Sequence, residues 1–213
     1  MSNVVVVDYG VGNLRSVARA LEVAGATPLI SREPAAIRGA DRLVLPGVGA
    51  FSACAEALRL SGLNEEVLRY AETDRPLLGI CVGMQILFDS GTEFGDGRGL
   101  GLVSGIVDRF SDIKPDGGRI KTPFIGWSRL SRPEGHNSWE GTPLALTRVD
   151  ESVYFVHSFA AMPASPERVL AYTDYGCGPV CAAVAQGALF GVQFHPERSG
   201  PAGLRIMKNF MAL

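Results

Sequence analysis

A cysteine at position 81 stands among small residues, in a pattern typical of a strand that turns directly into a helix. Residues 79–83 read G-I-C-V-G, which is the cysteine form of the nucleophile elbow. Such a turn strains its central residue, and only small neighbours fit beside it. The turn would push the sulfur out above the sheet edge at a helix N-terminus, where the dipole favours a thiolate. Taken alone, the pattern fits a buried structural cysteine equally well.

A cysteine nucleophile needs a base and a group that orients the base. Residues 190–194 alternate like a strand and end in H-P-E-R at 195–198. In an extended segment, residues two apart project to the same side, so His195 and Glu197 can face one site. Glu197 would accept one imidazole N–H and leave the other nitrogen for Cys81. An isolated H-x-E could also be a local salt bridge on the surface.

The remaining cysteines and histidines are weaker candidates. Cys54 lies in an alanine-rich helical pattern and is interpreted as core packing. Cys177 and Cys181 are spaced C-x₃-C and lack a second ligand pair, so we predict no metal site. His136 lies in a predicted exposed loop, and His157 ends a strand-like run where it is structural or adjacent to substrate.

Alternating strand and helix patterns must position these residues. Apolar runs predict buried strands at 4–7, 28–30, 43–45 and 77–80, with helices at 14–21, 50–60, 63–71 and 82–88. Shorter runs predict strands at 106–110, 124–130, 153–156, 169–173, 180–185 and 188–194, followed by a helix at 203–211. We therefore predict an α/β fold: a mixed, mainly parallel sheet flanked by helices, with additional antiparallel strands in the C-terminal half. Residues 1–213 are interpreted as a single domain.

The composition excludes several other classes of protein. With 20 Lys and Arg against 22 Asp and Glu, the net charge of −2 offers no general attraction to nucleic acid or to an anionic membrane. No apolar run approaches the roughly 20 residues that span a bilayer, and no basic region precedes the first valines as in a signal peptide. Four cysteines in 213 residues are too few for a disulfide scaffold, so we expect a reducing, cytoplasmic setting. The glycine-rich turns at 10–12 and 47–49 lack the third glycine of a dinucleotide-binding fingerprint, and we predict no cofactor.

Together the motifs resemble the class I (triad) glutamine amidotransferases. The resemblance rests on G-I-C-V-G-M-Q at 79–85 and F-H-P-E at 194–197. Four further segments are similar to the glutaminase subunits of imidazole glycerol phosphate synthases: D-Y-G-V-G-N-L at 8–14, L-P-G-V-G-A-F at 45–51, Y-F-V-H-S at 154–158 and H-P-E-R-S at 195–199. The resemblance covers nearly the whole chain and implies a flavodoxin-like amidotransferase fold.

The resemblance implies a reaction. Cys81 would attack the side-chain amide of L-glutamine, His195 would carry the thiol proton to the leaving ammonia, and Glu197 would orient His195. The implied oxyanion hole uses backbone N–H groups of Val48 and Val82. The implied glutamine-binding residues are Gly49, Gln85, Glu93 and Ser158. The alternatives are an ordinary polar helix residue for Gln85 and a solvated loop charge for Glu93.

The resemblance also implies a protein partner. This would be a (β/α)₈-barrel cyclase that forms a heterodimer with the chain and uses the ammonia in histidine biosynthesis. The implied interface residues are Asn13, Arg15, Tyr154 and Arg198. Ordinary solvated charge is the alternative for Arg15 and Arg198.

Besides Ile125 in place of a methionine, three positions depart from the expected family pattern. Residues 123–128 read P-F-I-G-W-S where P-H-M-G-W-N is expected, which places Phe124 and Ser128 at two of these positions. Phe159 stands where a tyrosine is usual. These departures leave open a paralogous subunit that supplies ammonia to a modified-sugar, pyridoxal phosphate or anthranilate pathway. The alternative that is not an enzyme is a catalytically inactive subunit that acts only by binding other proteins.

Overall fold

The computed structural model describes residues 3–135 and 138–213 of the chain. Its strands are β1 (Asn3–Val7), β2 (Thr27–Ser31), β3 (Arg42–Gly47), β4 (Leu77–Cys81), β5 (Phe88–Gly91), β6 (Gly97–Arg98), β7 (Val103–Arg109), β8 (Phe124–Arg129), β9 (Ser152–His157), β10 (Phe159–Pro163), β11 (Val169–Asp174), β12 (Pro179–Gln186) and β13 (Leu189–Val192). Its α-helices are α1 (Leu14–Val23), α2 (Pro34–Arg38), α3 (Phe51–Leu60), α4 (Asn64–Ala71), α5 (Val82–Gln85) and α6 (Gly200–Ala212). Short 3₁₀ helices cover Pro166–Arg168 and Pro196–Arg198. Within the described residues, no helix has the length and apolar character needed to cross a membrane.

A seven-stranded sheet runs through the molecule in the order β11-β12-β13-β4-β3-β1-β2. The five strands from β13 to β2 pair in parallel, and β11 and β12 add antiparallel strands at one edge. The parallel part has the order of a doubly wound, flavodoxin-like sheet, in which ligands bind beyond the carboxyl ends of the strands. The predicted fold class is therefore confirmed.

Two smaller sheets lie outside this one. The first has the order β10-β7-β5-β6, and the second pairs β8 with β9. The pairs β7–β10 and β8–β9 are antiparallel, so the C-terminal half carries the antiparallel strands that its short alternating runs predict.

The core forms between the large sheet and the helices that cover it. The valines at 4–7 are fully buried, as are Leu43, Val44 and Leu45 on β3. Strands buried on both faces read as continuous apolar runs, which is why the sequence pattern locates them. The carboxyl ends of β3, β4 and β13 consequently meet at one edge of a rigid layer.

The predicted helix at 82–88 is wrong in its length. Helix α5 ends at Gln85, and Phe88–Gly91 forms β5 instead. Periodicity cannot separate a buried helix from a buried strand in a short apolar run. Here the pairing of β5 with β6 and β7 decides the outcome. The pattern also did not predict α2, β6 or β10.

Candidate active site

The turn from β4 into α5 holds Cys81 in a strained conformation. Its φ of 55° and ψ of −115° are unusual for a residue with a side chain. A Cβ added at Gly79 would lie 2.7 Å from the carbonyl oxygen of Gly83, and a Cβ at Gly83 would overlap the carbonyl oxygen of Leu45. The flanking glycines are therefore required by close backbone contact, as the G-x-C-x-G pattern predicts.

His195 and Glu197 form a buried pair beyond the end of β13. Nδ1 of His195 lies 2.8 Å from Oε1 of Glu197, and the two side chains are only 5% and 1% exposed. Because the carboxylate accepts, Nδ1 donates, which leaves Nε2 for another partner. Among the described residues, Nε2 forms no hydrogen bond of regular geometry, which leaves it available to the neighbouring Cys81 sulfur.

The backbone of His195 is fixed on both sides. Its N–H donates to the carbonyl oxygen of Tyr154 at 2.9 Å, and its own carbonyl accepts from the Ser199 hydroxyl at 2.6 Å. Burial alone would lower the pKa of His195, but the neighbouring Cys81 sulfur and the Glu197 carboxylate outweigh it and raise the pKa to about 10. The surroundings therefore favour a charged imidazolium beside the sulfur.

A cavity of about 500 Å³ opens in front of these residues. The predicted site residues that line it are Asn13, Val48, Gly49, Cys81, Val82, Gln85, Glu93, Ser158, His195 and Arg198. Glu197 contacts His195 from outside this lining, and Arg15 and Tyr154 also lie outside it. The structure thus brings most of the residues implied by the motifs to one place.

The two polar residues with an ordinary alternative explanation are both held in place. Gln85 is buried, and its Nε2 donates to the carbonyl oxygen of Phe159 at 2.9 Å and to Oε1 of Gln193 at 3.0 Å. Oε2 of Glu93 accepts from the N–H of Phe51 at 2.9 Å, at the N-terminus of α3. Neither side chain is a freely solvated surface group.

The loop after β3 is anchored by buried side chains. The Tyr9 hydroxyl donates to the carbonyl oxygen of Pro46 at 2.6 Å, and the Cys54 thiol donates to that of Val48 at 3.1 Å. The peptide bond between Val48 and Gly49 holds the Val48 carbonyl and the Gly49 N–H in opposite directions. Because the carbonyl points toward the Cys54 thiol, the N–H of Gly49 points away from that thiol. Val82 is the first residue of α5, so its N–H has no acceptor within the helix.

His157 is the second imidazole at the cavity. Its Nδ1 donates to the carbonyl oxygen of Phe159 at 2.9 Å, so its Nε2 accepts from the Tyr175 hydroxyl at 2.7 Å. Burial lowers its pKa to about 4, which keeps it neutral at pH 7. His195 is therefore the better base of the two. His136, the third histidine, lies outside the described residues.

Gln193 is the residue of this site that the sequence interpretation missed. It is fully buried, and its Nε2 lies 3.8 Å from the Cys81 sulfur. A signal was present, because Gln193 stands two residues before His195 in an alternating strand and so shares its face.

The comparison with known families decides the classification. The family model described as "Glutamine amidotransferase class-I" matches residues 5–213. The chain belongs to this family.

Full-length relatives of this amidotransferase are named as subunits of one synthase. The protein named "Imidazole glycerol phosphate synthase subunit HisH" from Syntrophotalea carbinolica is 43% identical over 208 residues, covering 97% of this chain and 98% of its own length. "Subunit HisH 1" from Legionella pneumophila strain Lens is 43% identical over 213 residues, covering both chains fully. The HisH of Methylococcus capsulatus is 44% identical over 216 residues, covering 99% of this chain and 96% of its own. The resemblance drawn from the motifs is confirmed.

Solved structures share the fold of this amidotransferase at low identity. A structure titled "Structure of PurLQS from Thermotoga maritima" matches with a TM-score of 0.72 at 22% identity, over 100% of this chain and 99% of that chain. A structure titled "Crystal structure of glutamine amidotransferase" matches with a TM-score of 0.71 at 22% identity, over 98% and 97% of the two chains.

A cluster of aromatic and basic side chains lies beside the amidotransferase cavity. The Arg198 guanidinium lies 4.5 Å from the ring centre of Tyr154, and the Trp127 ring lies 6.0 Å from that of Tyr154. Trp127 is 55% exposed, and Asn13 and Arg15 are also exposed. Of the predicted interface residues, Tyr154 and Arg198 are thus brought together, and Asn13 joins them through the cavity lining.

Each of the three residues that depart from the family pattern makes a defined contact in the structure. Phe124 stacks on Tyr175 with ring centres 3.7 Å apart. The Ser128 hydroxyl accepts from Thr173 at 2.8 Å. Phe159 contributes its backbone carbonyl, which accepts from both Gln85 and His157, so its side-chain identity leaves these bonds intact.

Proposed function

We propose that this chain is the glutaminase subunit of an imidazole glycerol phosphate synthase and hydrolyses L-glutamine to glutamate and ammonia. The observation that carries the proposal is the strained Cys81 beside the buried His195–Glu197 pair, at the wall of one cavity. We further propose that residues 1–213 work as one domain, since its first and last strands share the large sheet.

The chemistry follows from the positions of the atoms. The proton of the Cys81 thiol passes to Nε2 of His195, and the sulfur attacks the side-chain carbonyl carbon of glutamine. The C–N bond then breaks, and His195 gives its proton to the leaving ammonia. Neutral His195 next takes a proton from water, which attacks the thioester and releases glutamate while the sulfur regains its proton. Glu197 holds the imidazole in the required tautomer throughout.

The negative charge that develops on the attacked carbonyl oxygen must be stabilised by hydrogen-bond donors. We assign this role to the N–H groups of Val82 and Val48, which stand at the turns after β4 and β3. Removal of one such donor typically costs about 10²–10³ in rate.

The proposed glutamine-binding residues offer an acceptor for a substrate N–H and a negative charge for the substrate ammonium. Both N–H donors of Gln85 are already used, so only its carbonyl oxygen remains, and this can accept from a substrate N–H. The Glu93 carboxylate supplies negative charge toward a substrate ammonium. Gly49 and Ser158 add backbone and hydroxyl groups at the same cavity wall.

We propose that a (β/α)₈-barrel cyclase covers the cavity mouth and receives the ammonia for histidine biosynthesis. The relatives of this chain are named as subunits, which implies a second subunit. The aromatic and basic cluster at Trp127, Tyr154 and Arg198 suits such a contact, because Trp127 and Arg198 are exposed and because aromatic residues and arginine are enriched in interfaces. We expect the complex to act in the reducing cytoplasm, where a thiol nucleophile stays reduced.

Glutamate release measures this proposal directly. The purified chain should release little glutamate alone and more when the cyclase and its ligand are present. Cys81→Ala should abolish release, whereas Cys177→Ala, a free cysteine on another hairpin, should leave it unchanged. Full activity of Cys81→Ala would refute the mechanism, and equal rates with and without the cyclase would refute the coupling.

A growth test separates this synthase from its paralogues. The gene should restore growth without histidine to a strain that lacks its HisH subunit. Active glutaminase without such rescue would instead favour the paralogous subunit of another ammonia-using pathway.

A further inference from the structure

A buried glutamine, Gln193, lies beside the nucleophile with its side-chain nitrogen 3.8 Å from the Cys81 sulfur. We propose that Gln193 is a positioning residue that holds the Cys81 sulfur for attack and is itself oriented by Gln85. This inference rests on the proposed glutaminase function. It adds a third contact to the sulfur, besides the backbone turn and His195.

The orientation of the Gln193 amide follows from its neighbours. The carbonyl oxygen of Phe159 can only accept, so the Gln85 atom 2.9 Å away is its nitrogen. That same nitrogen lies 3.0 Å from Gln193, which must therefore present its oxygen there. The Gln193 nitrogen then points to the Cys81 sulfur at 3.8 Å.

An N–H donor at the sulfur has a directional effect. A hydrogen bond to a charged acceptor is stronger than one to a neutral acceptor, so this donor favours the thiolate over the thiol. It also limits where the sulfur can lie, which matters because misplacement of a reacting atom by about 1 Å can cost 10²-fold in rate. Because Gln193 is fully buried, water does not compete with the Cys81 sulfur as an acceptor for its N–H group.

The effect of Gln193 can be separated from that of titrating neighbours. The titratable groups that interact electrostatically with the Cys81 sulfur are Tyr9, Cys54, Tyr175 and His195. Gln193 carries no charge and its replacement by methionine changes none of these groups. A change in sulfur reactivity would therefore report the lost amide donor.

The test is the rate of iodoacetamide alkylation of Cys81 across pH, measured on the full chain by mass spectrometry, with glutamate release measured in parallel in the presence of the cyclase and its ligand. Gln193→Met keeps the length of the side chain and removes the donor. We expect its alkylation profile to move to higher pH, and kcat to fall ten- to a hundredfold with a smaller change in KM. Gln186→Met is the matched control, because Gln186 donates to Leu102 away from the cavity. It should leave both measurements unchanged.

A second variant keeps the proposal testable if Gln193→Met does not fold. Gln193→Glu keeps the shape of the side chain and an oxygen for Gln85, but it offers no N–H and adds a negative charge. Its alkylation profile should move up further than that of Gln193→Met. An unchanged alkylation profile in either folded variant would overturn the proposal. Alkylation needs neither glutamine nor the cyclase, so a wild-type chain that releases no glutamate even with the cyclase and its ligand present would overturn the proposed function while leaving this readout intact.

Discussion

At the scale of single residues, burial decides which glutamate becomes part of a site. The tripeptide P-E-R occurs at Pro166–Arg168 and again at Pro196–Arg198, and both copies form 3₁₀ helices. Glu167 is exposed, whereas the side chain of Glu197 is buried against His195. The same local sequence and conformation therefore acquire different roles from their surroundings.

This duplication supplies a matched pair of variants. Glu197→Gln removes the charge that stabilises the His195 imidazolium and allows the wrong tautomer, so kcat should fall about 10³- to 10⁴-fold. Glu167→Gln makes the same chemical change on the surface and should retain wild-type kcat. The measurement is steady-state glutamate release with the cyclase present. A loss below tenfold in Glu197→Gln would contradict the role of Glu197.

The lowered pKa of His157 predicts that the free energy of unfolding depends on pH. Its pKa is lowered from 6.5 to about 4, so the folded state binds fewer protons than the unfolded chain between these values. The contribution to stability is present above pH 6.5 and is lost as pH falls toward 4, with a total of about 3 kcal/mol. Urea unfolding at pH 7 and pH 4.5 measures it.

His157→Gln is the variant that isolates this titration. A glutamine can donate to Phe159 and accept from Tyr175, as the neutral imidazole does, but it does not titrate. Its free energy of unfolding should fall by about 2–3 kcal/mol less than that of the wild type between the two pH values. Parallel losses in both proteins would show that His157 is not the group responsible.

Contacts that depend on local spacing could be predicted from the sequence. The cysteine turn is a five-residue pattern, and His195 and Glu197 are two residues apart, so both could be found in the sequence. The link from Gln85 to Gln193 joins residues 108 positions apart, and only the fold brings them together. The spacing of Gln193 and His195 was a local signal, but the contact of Gln193 with Gln85 was not visible in the sequence.

At the scale of elements, the turn between β4 and α5 depends on the absence of side chains. The helix start lies so close to β3 that Gly83 has no space for a Cβ beside the carbonyl oxygen of Leu45. Gly83→Ala must move either β3 or α5, which should lower the free energy of unfolding by several kcal/mol.

Chemical denaturation of Gly83→Ala measures this cost. Gly39→Ala is the control, because Gly39 has an ordinary φ of −87° and its added Cβ would lie 3.3 Å from the nearest atom, the carbonyl oxygen of Ala35. The control should change stability by less than about 1 kcal/mol. Equal effects of the two variants would show that the close approach at Gly83 is relieved at little cost.

Strands buried in the large sheet could be predicted, whereas the short strands β5, β6 and β10 of a smaller sheet could not. Strands β1, β3 and β4 carry continuous apolar runs that only a doubly covered sheet accommodates. Strand β5 begins at Phe88 in the same apolar run that contains the end of α5, so the local pattern is ambiguous. Its identity comes from contacts with β7, which follows at Val103–Arg109.

At the scale of the whole molecule, the sheet order gathers the chemistry at one edge. Strands β3, β4 and β13 are neighbours in the sheet although they are distant in the chain, and the residues following each of them line the cavity. The exposed cluster of Trp127, Tyr154 and Arg198 adjoins the same cavity through Arg198. If the proposed function holds, a partner bound there would lie beside the cavity in which ammonia forms.

Association with the cyclase tests this arrangement. Trp127→Ala should weaken binding by about 2 kcal/mol, which is roughly thirtyfold in Kd, because an exposed tryptophan packed on a neighbouring aromatic residue is typical of an interface hot spot. Leu60→Ala is the control, since Leu60 is 71% exposed at the end of α3 and outside the cavity lining. Isothermal titration calorimetry gives both Kd values. A Trp127→Ala variant that binds as tightly as the wild type would place the partner on another face, and the stimulation of glutamate release would then need a different route to Cys81.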